Sequence, residues 1–400
     1  MKSLIRKFLS QKVINSYYHT PKAILANIKH GFPAKKLKII GVTGTDGKTT
    51  TTNMIYEILK NSGKKVSMVS TINAVVAGKE YDTGFHITSP SPFMLQKFAK
   101  MALKNEDEYL VLEVTSHSLD QNRFLGIKFD VAVITNITHE HLDYHKTFEN
   151  YFNTKVKILK NAKSAIVNQN LKDKLKEKTS IKLISFGIDK GDFNQKDLKL
   201  DLKVIGDYNI ENALAALGVA FCLNIDKKIA QKTLENFINL RGRMNEINNN
   251  RGLRIIIDFA HTPNGLENAL LALKKNSKGK LIALIGAEGF RDVDKRSMMG
   301  MIAQKLSDVV IVTAVDPRGQ LDIINEQIKS GLLKQGGKEN KSFYIIKDRQ
   351  SAIDFAINSL AKRGDTVGLF GKGHESSMNL DGKKEINWSD FDAVAKALDG

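Results

Sequence analysis

The sequence predicts an α/β protein in which a central, doubly wound sheet domain of the P-loop type is followed by a smaller, Rossmann-like α/β domain. Three observations predict it. Short β-rich runs alternate with helical stretches, one of these runs leads into a glycine-rich turn, and a second alternating series begins near Arg251. At 400 residues, the chain is also too long for one ordinary core.

The predicted strands are short apolar runs rich in β-branched residues. They cover residues 37–42, 109–114 and 129–134 in the first series, and 253–258, 281–286, 309–313 and 366–370 in the second. Residues 50–59 predict the helix that follows the glycine-rich turn. Because the two series separate near 238–245, we expect a leader (1–37), a central domain (38–240) and a C-terminal domain (241–400).

Composition excludes several classes of protein. No apolar run reaches the roughly 18 residues that span a bilayer. The single cysteine, Cys222, excludes a disulfide framework and indicates a reducing, cytoplasmic location. It lies in an apolar run, where a buried structural thiol is expected. The net charge of +18 is compatible with nucleic-acid binding, but zinc-finger spacing and RNP-like aromatic patterns are absent from the sequence.

The leader carries a large share of the positive charge. Residues 1–40 contain nine Lys or Arg and no Asp or Glu. Apolar residues recur there at near-helical spacing, namely Leu4, Ile5, Phe8, Leu9 and Ile14. Three interpretations stay open: a helix that packs on the next domain, a helix that contacts a membrane surface weakly through residues 1–30, and an organelle transit peptide.

The turn Gly44-Thr45-Asp46-Gly47-Lys48-Thr49 lies between a predicted strand and a predicted helix. Backbone N–H groups of such a turn bind phosphate, helped by the partial positive charge of the helix N-terminus. Lys48 is expected to reach the outer phosphates, and the hydroxyl of Thr49 or Thr50 to hold Mg²⁺. Val42 occupies the first glycine of the strict G-x-x-x-x-G-K-[ST] pattern, so the turn is a shorter variant.

Candidate metal ligands follow two of the predicted strands. Glu113 lies at the end of an apolar strand, where a carboxylate is costly unless it serves a metal or a partner. A salt-bridged structural glutamate is the alternative. Residues 135–145 follow the next strand and contain three His. Since the H-E-x-x-H pattern of zinc proteases is absent, we expect one of these His near magnesium rather than a dedicated zinc site.

Seven segments, in this order, together resemble the Mur ligase family, and within it the UDP-N-acetylmuramoyl-tripeptide synthetases. They are residues 44–49, 113–123, 135–145, 209–216, 242–244, 258–263 and 371–375. The resemblance implies an ATP- and magnesium-dependent ligase of peptidoglycan biosynthesis. Such a ligase activates a carboxylate as an acyl phosphate and joins it to the amine of an amino acid.

The resemblance also implies roles for individual residues. Lys155 is implied to be carbamylated by CO₂, whereas by sequence alone it is one of many lysines on a helix face. The implied metal ligands are Thr49, Glu113, His141 and Lys155, and the implied catalytic residues are Lys48, Lys155 and His141. The nucleotide is implied to contact Gly44, Thr45, Asp46, Gly47, Lys48, Thr49, Thr50, Asn212, Arg243 and Asp258. The muropeptide is implied to contact Thr88, Ser89, Thr115, Ser116, Gln121 and Arg123.

A pocket for the incoming amino acid is implied at Arg296, Asp316, Arg318, Gly371 and Glu375. Family members that add meso-diaminopimelate carry Asp-Asn-Pro-Arg, whose arginine meets the distal carboxylate. Here the segment is Val315-Asp316-Pro317-Arg318. The arginine favours diaminopimelate over L-lysine, because a guanidinium binds a carboxylate bidentately. Glu288 and Phe290 depart from the family pattern, which usually has a second glycine and an acid in this region.

About 40 residues precede the glycine-rich turn, whereas the synthetases begin with a domain that binds uridine diphosphate. We therefore expect most of that domain to be missing, and an acceptor that carries either UDP or a lipid. Three other functions stay open: a folylpolyglutamate-like or other amino-acid ligase, a nucleotide-dependent binding or switch protein, and a nucleic-acid-binding ATPase, which the charge of the leader alone suggests. The guanine-reading Asn-Lys-x-Asp pattern is absent. We expect a monomer that binds no nucleic acid.

Overall fold

The computed structural model describes residues 10–81 and 89–399. The chain divides into two units. The first comprises the residues up to 137 together with 147–203 and 208–237, and the second comprises 138–146, 204–207 and the residues from 238 onward. Among the helices of the described ranges, none combines the length and apolar character that crossing a membrane requires.

The first unit contains a nine-stranded sheet within the described ranges. Its strands are β1 (Lys38–Thr43), β2 (Val66–Val69), β3 (Ala74–Val76), β4 (Lys79–Tyr81), β5 (Tyr109–Glu113), β6 (Phe129–Ile134), β7 (Ala162–Asn168), β8 (Lys182–Gly187) and β9 (Phe193–Asn194). They lie in the order β4-β3-β2-β5-β1-β6-β7-β8-β9. The pairs from β2 to β9 are parallel, and β3 is antiparallel to β2 and β4.

The central strands β1 and β5 are buried along almost their whole length. Such burial on both faces explains why their sequences are continuous apolar runs rather than alternating patterns. Strand order also reverses here, because the chain passes from β1 to β2 on one side and from β5 to β6 on the other. In open parallel sheets, ligands bind beyond the carboxyl ends of the strands at such a reversal.

Helices precede β1 and also lie between and after the later strands of this sheet. They are α1 (Gln11–Ile14), α2 (Thr20–His30), α3 (Lys48–Asn61), α4 (Pro92–Lys104), α5 (Ser116–Asp120), α6 (Leu142–His145), α7 (Phe148–Val156), α8 (Lys172–Lys176), α9 (Gln195–Leu198), α10 (Asp207–Cys222) and α11 (Lys227–Glu235). A π-helical segment, Asn15–His19, joins α1 to α2, and 3-10 turns occupy Pro33–Lys36, Lys157–Asn161 and Gln169–Leu171. The start of α4 is capped by the Ser91 hydroxyl, whereas α3 has Gly47 as its N-cap residue and therefore no side-chain cap.

The described part of the leader belongs to the first unit. Asn15 Nδ2 donates to the carbonyl oxygen of Asp120 at 2.9 Å, and Asn27 Nδ2 donates to that of Leu125 at 2.9 Å. Ala23 and Ala26 are fully buried, which lets α2 lie close against the unit. The apolar residues of the leader before Ser10 lie outside the described residues.

The second unit contains a six-stranded sheet, and its strand order is β10-β11-β15-β12-β13-β14. The strands are β10 (Asn245–Ile247), β11 (Arg254–Asp258), β12 (Leu281–Ile285), β13 (Val309–Val312), β14 (Phe343–Ile345) and β15 (Thr366–Phe370). Only β10 is antiparallel to its neighbour among these described strands. A small antiparallel pair follows, β16 (Ser377–Met378) and β17 (Ile386–Asn387).

The helices of the second sheet are α12 (Pro263–Lys275), α13 (Asp294–Leu306), α14 (Leu321–Lys334), α15 (Arg349–Asp354) and α16 (Asp390–Asp399), with a π-helical segment at Phe355–Leu360. One core cluster joins the sheet to α15 and α16 through residues such as Ile257, Leu284, Ile353 and Val394. Burial of these apolar side chains stabilises the unit.

The predicted α/β class is confirmed, including the parallel sheet of the first unit and a second sheet. The predicted strand 129–134 coincides with β6, and the other predicted strands differ from the observed ones by one residue at most at either end. The helix after the glycine-rich turn is longer than predicted, since it covers Lys48–Asn61. Cys222 is half-buried rather than buried, because it is the last residue of α10, and burial raises its pKa.

Candidate active site

The glycine-rich turn lies at the carboxyl end of β1 and leads into α3. Gly44 and Gly47 have positive φ angles of 155° and 80°. A Cβ at Gly44 would lie 1.7 Å from Thr135 Oγ1, and one at Gly47 would lie 2.3 Å from Asn212 Oδ1. Both positions therefore need glycine for backbone conformation and for space. The uncapped start of α3 is the kind of helix N-terminus that binds anions.

Hydrogen bonds with residues that follow β6 hold the glycine-rich turn in place. Thr45 N donates to the carbonyl oxygen of Asn136 at 2.9 Å, and Asp46 N donates to Asn136 Oδ1 at 2.9 Å. Thr135 Oγ1 donates to the carbonyl oxygen of Asp46 at 2.6 Å. Lys48 Nζ donates to the carbonyl oxygen of Thr45 at 2.8 Å. Hydrogen bonds therefore hold the turn in one shape, which a phosphate cradle requires.

Oxygen ligands suited to magnesium converge beside the turn. Glu113 is 2% exposed, and its Oε1 accepts a hydrogen bond from Thr49 Oγ1 at 3.2 Å. Its Oε2 accepts one from the backbone N–H of Thr71 at 2.9 Å. Thr71 Oγ1 lies 3.5 Å from Thr49 Oγ1. A buried carboxylate with two hydroxyls is a donor set of hard oxygens, which fits Mg²⁺.

Lys155 also contacts the turn. It lies on α7, is 1% exposed, and its Nζ donates to the carbonyl oxygen of Gly44 at 2.6 Å. Its ammonium lies 4.7 Å from the ring centroid of Tyr151, whose hydroxyl is 3.0 Å from Thr45 Oγ1. The solvated helix face expected for Lys155 from sequence alone is therefore wrong. The i, i+4 pair of Tyr151 and Lys155 faces the turn instead.

Asn212, on α10, lies behind the turn. Its Oδ1 accepts a hydrogen bond from Thr51 Oγ1 at 3.2 Å, and its Nδ2 donates to Asn209 Oδ1 at 3.1 Å. Asn212 Oδ1 is also the atom that a Cβ at Gly47 would strike. The structure thus brings α10 against the first turn of α3, beside the glycine-rich turn.

The segment after β5 forms a polar network. Ser89 Oγ donates to the carbonyl oxygen of Glu113 at 3.1 Å and accepts from Thr115 N at 3.2 Å. Arg123 Nη1 donates to the carbonyl oxygen of Ser89 at 2.7 Å, and its Nε donates to Gln121 Oε1 at 3.0 Å. Ser116 is the first residue of α5 and is buried. It directly follows Thr115, a member of this network, in the sequence. Thr88, predicted with these residues, lies outside the described residues.

His141 belongs to the second unit, whereas Thr49, Glu113 and Lys155 belong to the first. It precedes α6 and has a positive φ of 57°. The two residues that precede His141 in the sequence contact other residues of the second unit. Glu140 Oε1 and Lys295 Nζ form a buried ion pair at 3.1 Å, and Asp292 Oδ2 lies 3.2 Å from His139 Nε2.

Asp258 and Arg243 lie beside each other at one edge of the second sheet. Asp258 ends β11, and its Oδ2 accepts from Met244 N at 2.8 Å while its Oδ1 accepts from Ala260 N at 2.8 Å. The guanidinium of Arg243 lies 4.6 Å from the ring centroid of Phe259. Asp258 therefore fixes the backbone of the segment that carries Arg243.

A buried charge triad lies beyond the strands β13 and β15. Lys372 Nζ is 3.2 Å from Asp316 Oδ2 and 2.6 Å from Glu375 Oε2. The side chains of Lys372 and Asp316 are fully buried, and Asp316 Oδ1 also accepts from Asn379 N at 2.8 Å. Two of the residues predicted for the amino-acid pocket, Asp316 and Glu375, thus share one internal lysine.

The other predicted pocket residues differ in their contacts. Arg318 is half-buried, and among the residues that the structure describes its guanidinium has neither a hydrogen bond nor an ion pair. Arg296 is 2% exposed and donates to Gln327 Oε1 at 2.6 Å and to the carbonyl oxygen of Glu288 at 2.9 Å. A Cβ at Gly371 would lie 3.0 Å from Val315 Cγ1.

Sequence reasoning missed Thr71, Tyr151, Lys372 and Asn136 as parts of these clusters. Thr71 follows β2, which is only four residues long and therefore is not predicted as a strand from its apolar residues. Once β2 is known, the position of Thr71 beyond the carboxyl end of a strand indicates a candidate ligand-binding residue. Tyr151 is one helical turn before Lys155, so the helix period identifies it once Lys155 is known. Lys372 lies within the segment 371–375, but nothing in the sequence indicates its two carboxylate partners.

Family models match most of the chain. The model described as Mur ligase middle domain matches residues 42–220, and that described as Mur ligase, glutamate ligase domain matches residues 242–373. Curated relatives include the UDP-N-acetylmuramoyl-L-alanyl-D-glutamate–2,6-diaminopimelate ligase of Clostridium botulinum, 36% identical over 94% of this chain and 81% of its own length. The UDP-N-acetylmuramyl-tripeptide synthetase of Borreliella burgdorferi is 34% identical over 98% of this chain and 80% of its own length.

Solved structures give the same result for the fold. A UDP-N-acetylmuramoyl-L-alanyl-D-glutamate–2,6-diaminopimelate ligase is 28% identical with a TM-score of 0.58, over 91% of this chain and 78% of that one. MurF of Acinetobacter baumannii has a TM-score of 0.71 at 19% identity, over 94% of this chain and 80% of that one. E. coli FolC, solved with DHPP and ADP, has a TM-score of 0.69 at 20% identity, over 88% and 89%. The similarity to MurF and to FolC shows a common fold only.

Proposed function

We propose that this chain, which belongs to the Mur ligase family of ATP- and magnesium-dependent amide ligases, joins a diamino acid to the terminal carboxylate of a muramoyl dipeptide in peptidoglycan biosynthesis. The observation that carries the proposal is the convergence of Lys155 and Glu113 on the glycine-rich turn. The names of the C. botulinum and B. burgdorferi relatives support the substrates, since each refers to an N-acetylmuramic acid peptide.

The reaction has two steps in this proposal. A carboxylate oxygen of the acceptor attacks the γ-phosphorus of ATP, which forms an acyl phosphate and releases ADP. The neutral amine of the amino acid then attacks the acyl carbon, inorganic phosphate leaves, and the nitrogen loses a proton. Backbone N–H groups of the turn and the ammonium of Lys48 hold the phosphates and offset their charge. Bound magnesium supplies charge neutralisation at the transferred phosphate, and Thr49 and Glu113 are the side chains that would hold it.

We further propose that Lys155 acts as a carbamate. A buried ammonium beside a magnesium site repels the cation, whereas a carbamate is an anionic oxygen ligand. The burial of Lys155 and its contact with the turn support this role. The roles of His141, Arg243, Asp258 and Arg296 also stay proposals, which rest on the resemblance.

We propose meso-diaminopimelate rather than L-lysine as the amino acid. The C. botulinum relative is named for 2,6-diaminopimelate. Support from the second unit comes from Arg318, which is half-buried and whose guanidinium suits a distal carboxylate. A folylpolyglutamate-like activity has weaker support, because the likeness to FolC is one of fold.

An ADP-release assay tests the proposal. UDP-N-acetylmuramoyl-dipeptide is paired with meso-diaminopimelate, L-lysine or L-glutamate in turn, and release is expected with the first. Lys48→Ala is expected to abolish release, and Lys155→Ala to abolish it with partial rescue by short-chain carboxylic acids. Lys60→Ala, a lysine at the far end of α3 that is 57% exposed, is the matched control. An absence of release with all three amino acids would overturn the assignment, and activity in Lys48→Ala would overturn the role of the turn.

The exposed face of the leader supports a second, weaker proposal, that the chain contacts an anionic membrane surface as a monomer. Tyr17, Ile24, Leu25 and Ile28 are between 45% and 82% exposed and recur at helical spacing. The leader's charge is entirely basic, which complements anionic lipid. Co-sedimentation with phosphatidylglycerol vesicles is expected for the wild type and not for Ile24→Ser/Ile28→Ser. Binding that is equal with purely zwitterionic vesicles, or elution as a dimer, would contradict it.

A further inference from the structure

The described part of the leader holds two alternate residues at the end of α5. Asn15 Nδ2 donates to the carbonyl oxygen of Asp120 at 2.9 Å and to its carboxylate oxygen Oδ2 at 2.8 Å. Asn122 Nδ2 donates to Thr20 Oγ1 at 2.9 Å. These partners are 105 and 102 positions apart in the chain. The bonds are therefore tertiary contacts, which form only when the leader docks on the first unit.

Neighbouring groups fix the direction of both leader side chains. Gln11 Nε2 donates to Asn15 Oδ1 at 2.8 Å, which leaves the two N–H groups of Asn15 for Asp120. Thr20 Oγ1 donates its one proton to the carbonyl oxygen of Asn15 at 2.9 Å, so towards Asn122 it is an acceptor. Asn15 is 8% exposed and begins the π-helical segment, a rare conformation that is frequent at functional sites. The two contacts thus form one hydrogen-bonded unit.

The residues that alternate with Asp120 and Asn122 are those that the family resemblance assigns to the acceptor. Gln121 Oε1 accepts from Nε and Nη2 of Arg123, at 3.0 and 2.8 Å. Asn122, between them, has a positive φ of 52°, a conformation that few residues other than glycine adopt readily. The bond to Thr20 holds it there. The leader therefore fixes the backbone from which Gln121 and Arg123 project.

Asp120 also connects this unit to the segment that follows α7. Lys157 Nζ lies 3.0 Å from Asp120 Oδ1, whereas Asn15 contacts Oδ2. Lys157 is two residues after Lys155, whose ammonium contacts the glycine-rich turn. One carboxylate thus joins the leader, the acceptor segment and the helix that reaches the turn. The bond from Asn15 is charge-assisted, which makes it stronger than a bond between neutral groups.

The docking of the leader has other contacts besides these. Ala23 is fully buried, and Asn27 Nδ2 donates to the carbonyl oxygen of Leu125 at 2.9 Å. A Cβ at Gly126 would lie 2.8 Å from Asn27 Oδ1, so glycine allows the close approach there. This second contact lies beyond Arg123 in the chain. It offers a comparison within the same leader, because it anchors α2 without holding residues 120–122.

We propose that Asn15 and Thr20 are positioning residues for the acceptor, the muramoyl dipeptide. They hold residues 120 and 122 so that Gln121 and Arg123 stand in the orientation that binds it. The inference rests on the proposed function and assigns to the leader a part in acceptor binding, which is independent of any contact with a membrane surface. Both residues act through the segment that they hold, and not on the reacting atoms.

The test measures ADP release at saturating meso-diaminopimelate while either UDP-N-acetylmuramoyl-dipeptide or ATP is varied. Thr20→Val keeps the shape of the side chain and removes the hydroxyl, whereas Thr20→Ser keeps the hydroxyl. We expect KM for the dipeptide to rise about fivefold in Thr20→Val, the factor that corresponds to one hydrogen bond, and to stay within about twofold of the wild type in Thr20→Ser. Asn15→Ala loses a charge-assisted bond, and we expect a rise of about tenfold.

KM for ATP is the internal reference. We expect it to change by less than about twofold in all three variants, because Thr135 and Asn136, rather than the leader, hold the glycine-rich turn. The choice of KM also separates positioning from stability. A partly unfolded variant has a lower apparent kcat and an unchanged KM, since its folded fraction binds as the wild type does.

Asn27→Ala is the matched control. It removes a bond from the same leader, from the same type of side chain, to a backbone carbonyl oxygen at the same 2.9 Å. We expect it to lower the free energy of unfolding in urea titrations and to leave KM for the dipeptide within about twofold of the wild type. If Asn15→Ala does not fold, the comparison of Thr20→Val with Thr20→Ser decides the question.

Three results would overturn the inference. One is an unchanged KM for the dipeptide in the Thr20→Val and Asn15→Ala variants. The others are an equal rise of KM for the dipeptide and for ATP, and an equal rise in Asn27→Ala, because the leader would then support the whole unit rather than the acceptor segment. A wild type that releases no ADP with the dipeptide would instead overturn the proposed function, so the two failures are distinguishable.

Discussion

The strand ends of the two sheets are built by different means. Beyond β1 and β5, the site consists of a glycine turn, hydroxyl groups and one buried carboxylate, Glu113. Beyond β13 and β15, it consists of buried ion pairs such as Lys372 with Asp316. In the first region the backbone conformation fixes the geometry, whereas in the second each buried charge is held by its partner. We therefore expect a change of backbone conformation to disturb the first region, and the loss of a charged partner to destabilise the second.

The largest expected effect concerns the buried charges of the second region. Arg349 is 1% exposed and pairs with Asp390 through two hydrogen bonds of 2.8 and 2.7 Å. It also donates to the carbonyl oxygens of Ala314 and Phe370, at the ends of β13 and β15. Arg349→Met leaves a buried carboxylate unpaired, so we expect the free energy of unfolding to fall by about 4 kcal/mol in urea titrations.

A nearby exposed pair is the control for that variant. Lys347 and Asp322 lie 2.7 Å apart, but their side chains are 63% and 75% exposed. Lys347→Met is expected to change the free energy of unfolding by less than about 1 kcal/mol. If the two variants lose similar stability, buried charge is not what holds the second region together.

The next effect concerns backbone geometry in the first region. Ala at Gly47 combines an unfavourable φ of 80° with a clash against Asn212 Oδ1. The turn must shift, and a displacement of about 1 Å at reacting groups costs about a hundredfold in rate. We therefore expect Gly47→Ala to lower kcat/KM for ATP about 100-fold in the ADP-release assay.

Gly63 offers a matched comparison for Gly47. Its φ is 78°, and nothing lies within 4 Å of a Cβ added there. Gly63→Ala carries the same backbone penalty of about 1 kcal/mol in stability without the clash. Its kcat/KM is expected to stay within about twofold of the wild type. An equal loss in both variants would mean that the φ angle alone, and not the contact with Asn212, makes the position sensitive.

The same difference explains what the sequence predicts and what it does not. Strands such as β12 are predicted because a parallel strand buried on both faces is a continuous apolar run. The glycine turn was predicted because few residues tolerate its backbone. Both features depend on local constraints that leave a clear pattern in the chain.

Pairings between distant residues leave no such pattern. Lys155 is indistinguishable from a surface lysine by sequence, since its burial depends on how α7 packs against the turn. Asp316 was predicted as a pocket residue, but its partner Lys372 is 56 positions away. Any lysine of the second half satisfies the same electrostatic requirement, so only the structure identifies the pair.

The smallest expected effect concerns Asp192, and it tests whether a charged contact in the first unit contributes little to stability. Asp192 Oδ2 accepts from Ser185 N at 2.7 Å and from Lys172 Nζ at 2.9 Å. Hydrogen bonds from Ser185 and Lys172 lower the pKa of Asp192 to about 2, against the opposing effect of desolvation. A lowered pKa means that this stabilisation is present above about pH 4 and is lost as the pH falls towards about 2.

Asp192→Asn is therefore expected to destabilise the protein at about pH 7 and progressively less as the pH falls from about 4 towards 2. Because the Asp192 side chain is 50% exposed, solvent screening keeps the difference below about 1 kcal/mol. Urea unfolding at about pH 7 and about pH 3 measures it. A difference above about 2 kcal/mol, or one that grows on acidification, would show that the first unit also depends on a charged contact. The contrast between the two sheets would then lie in the position of the charges rather than in their importance.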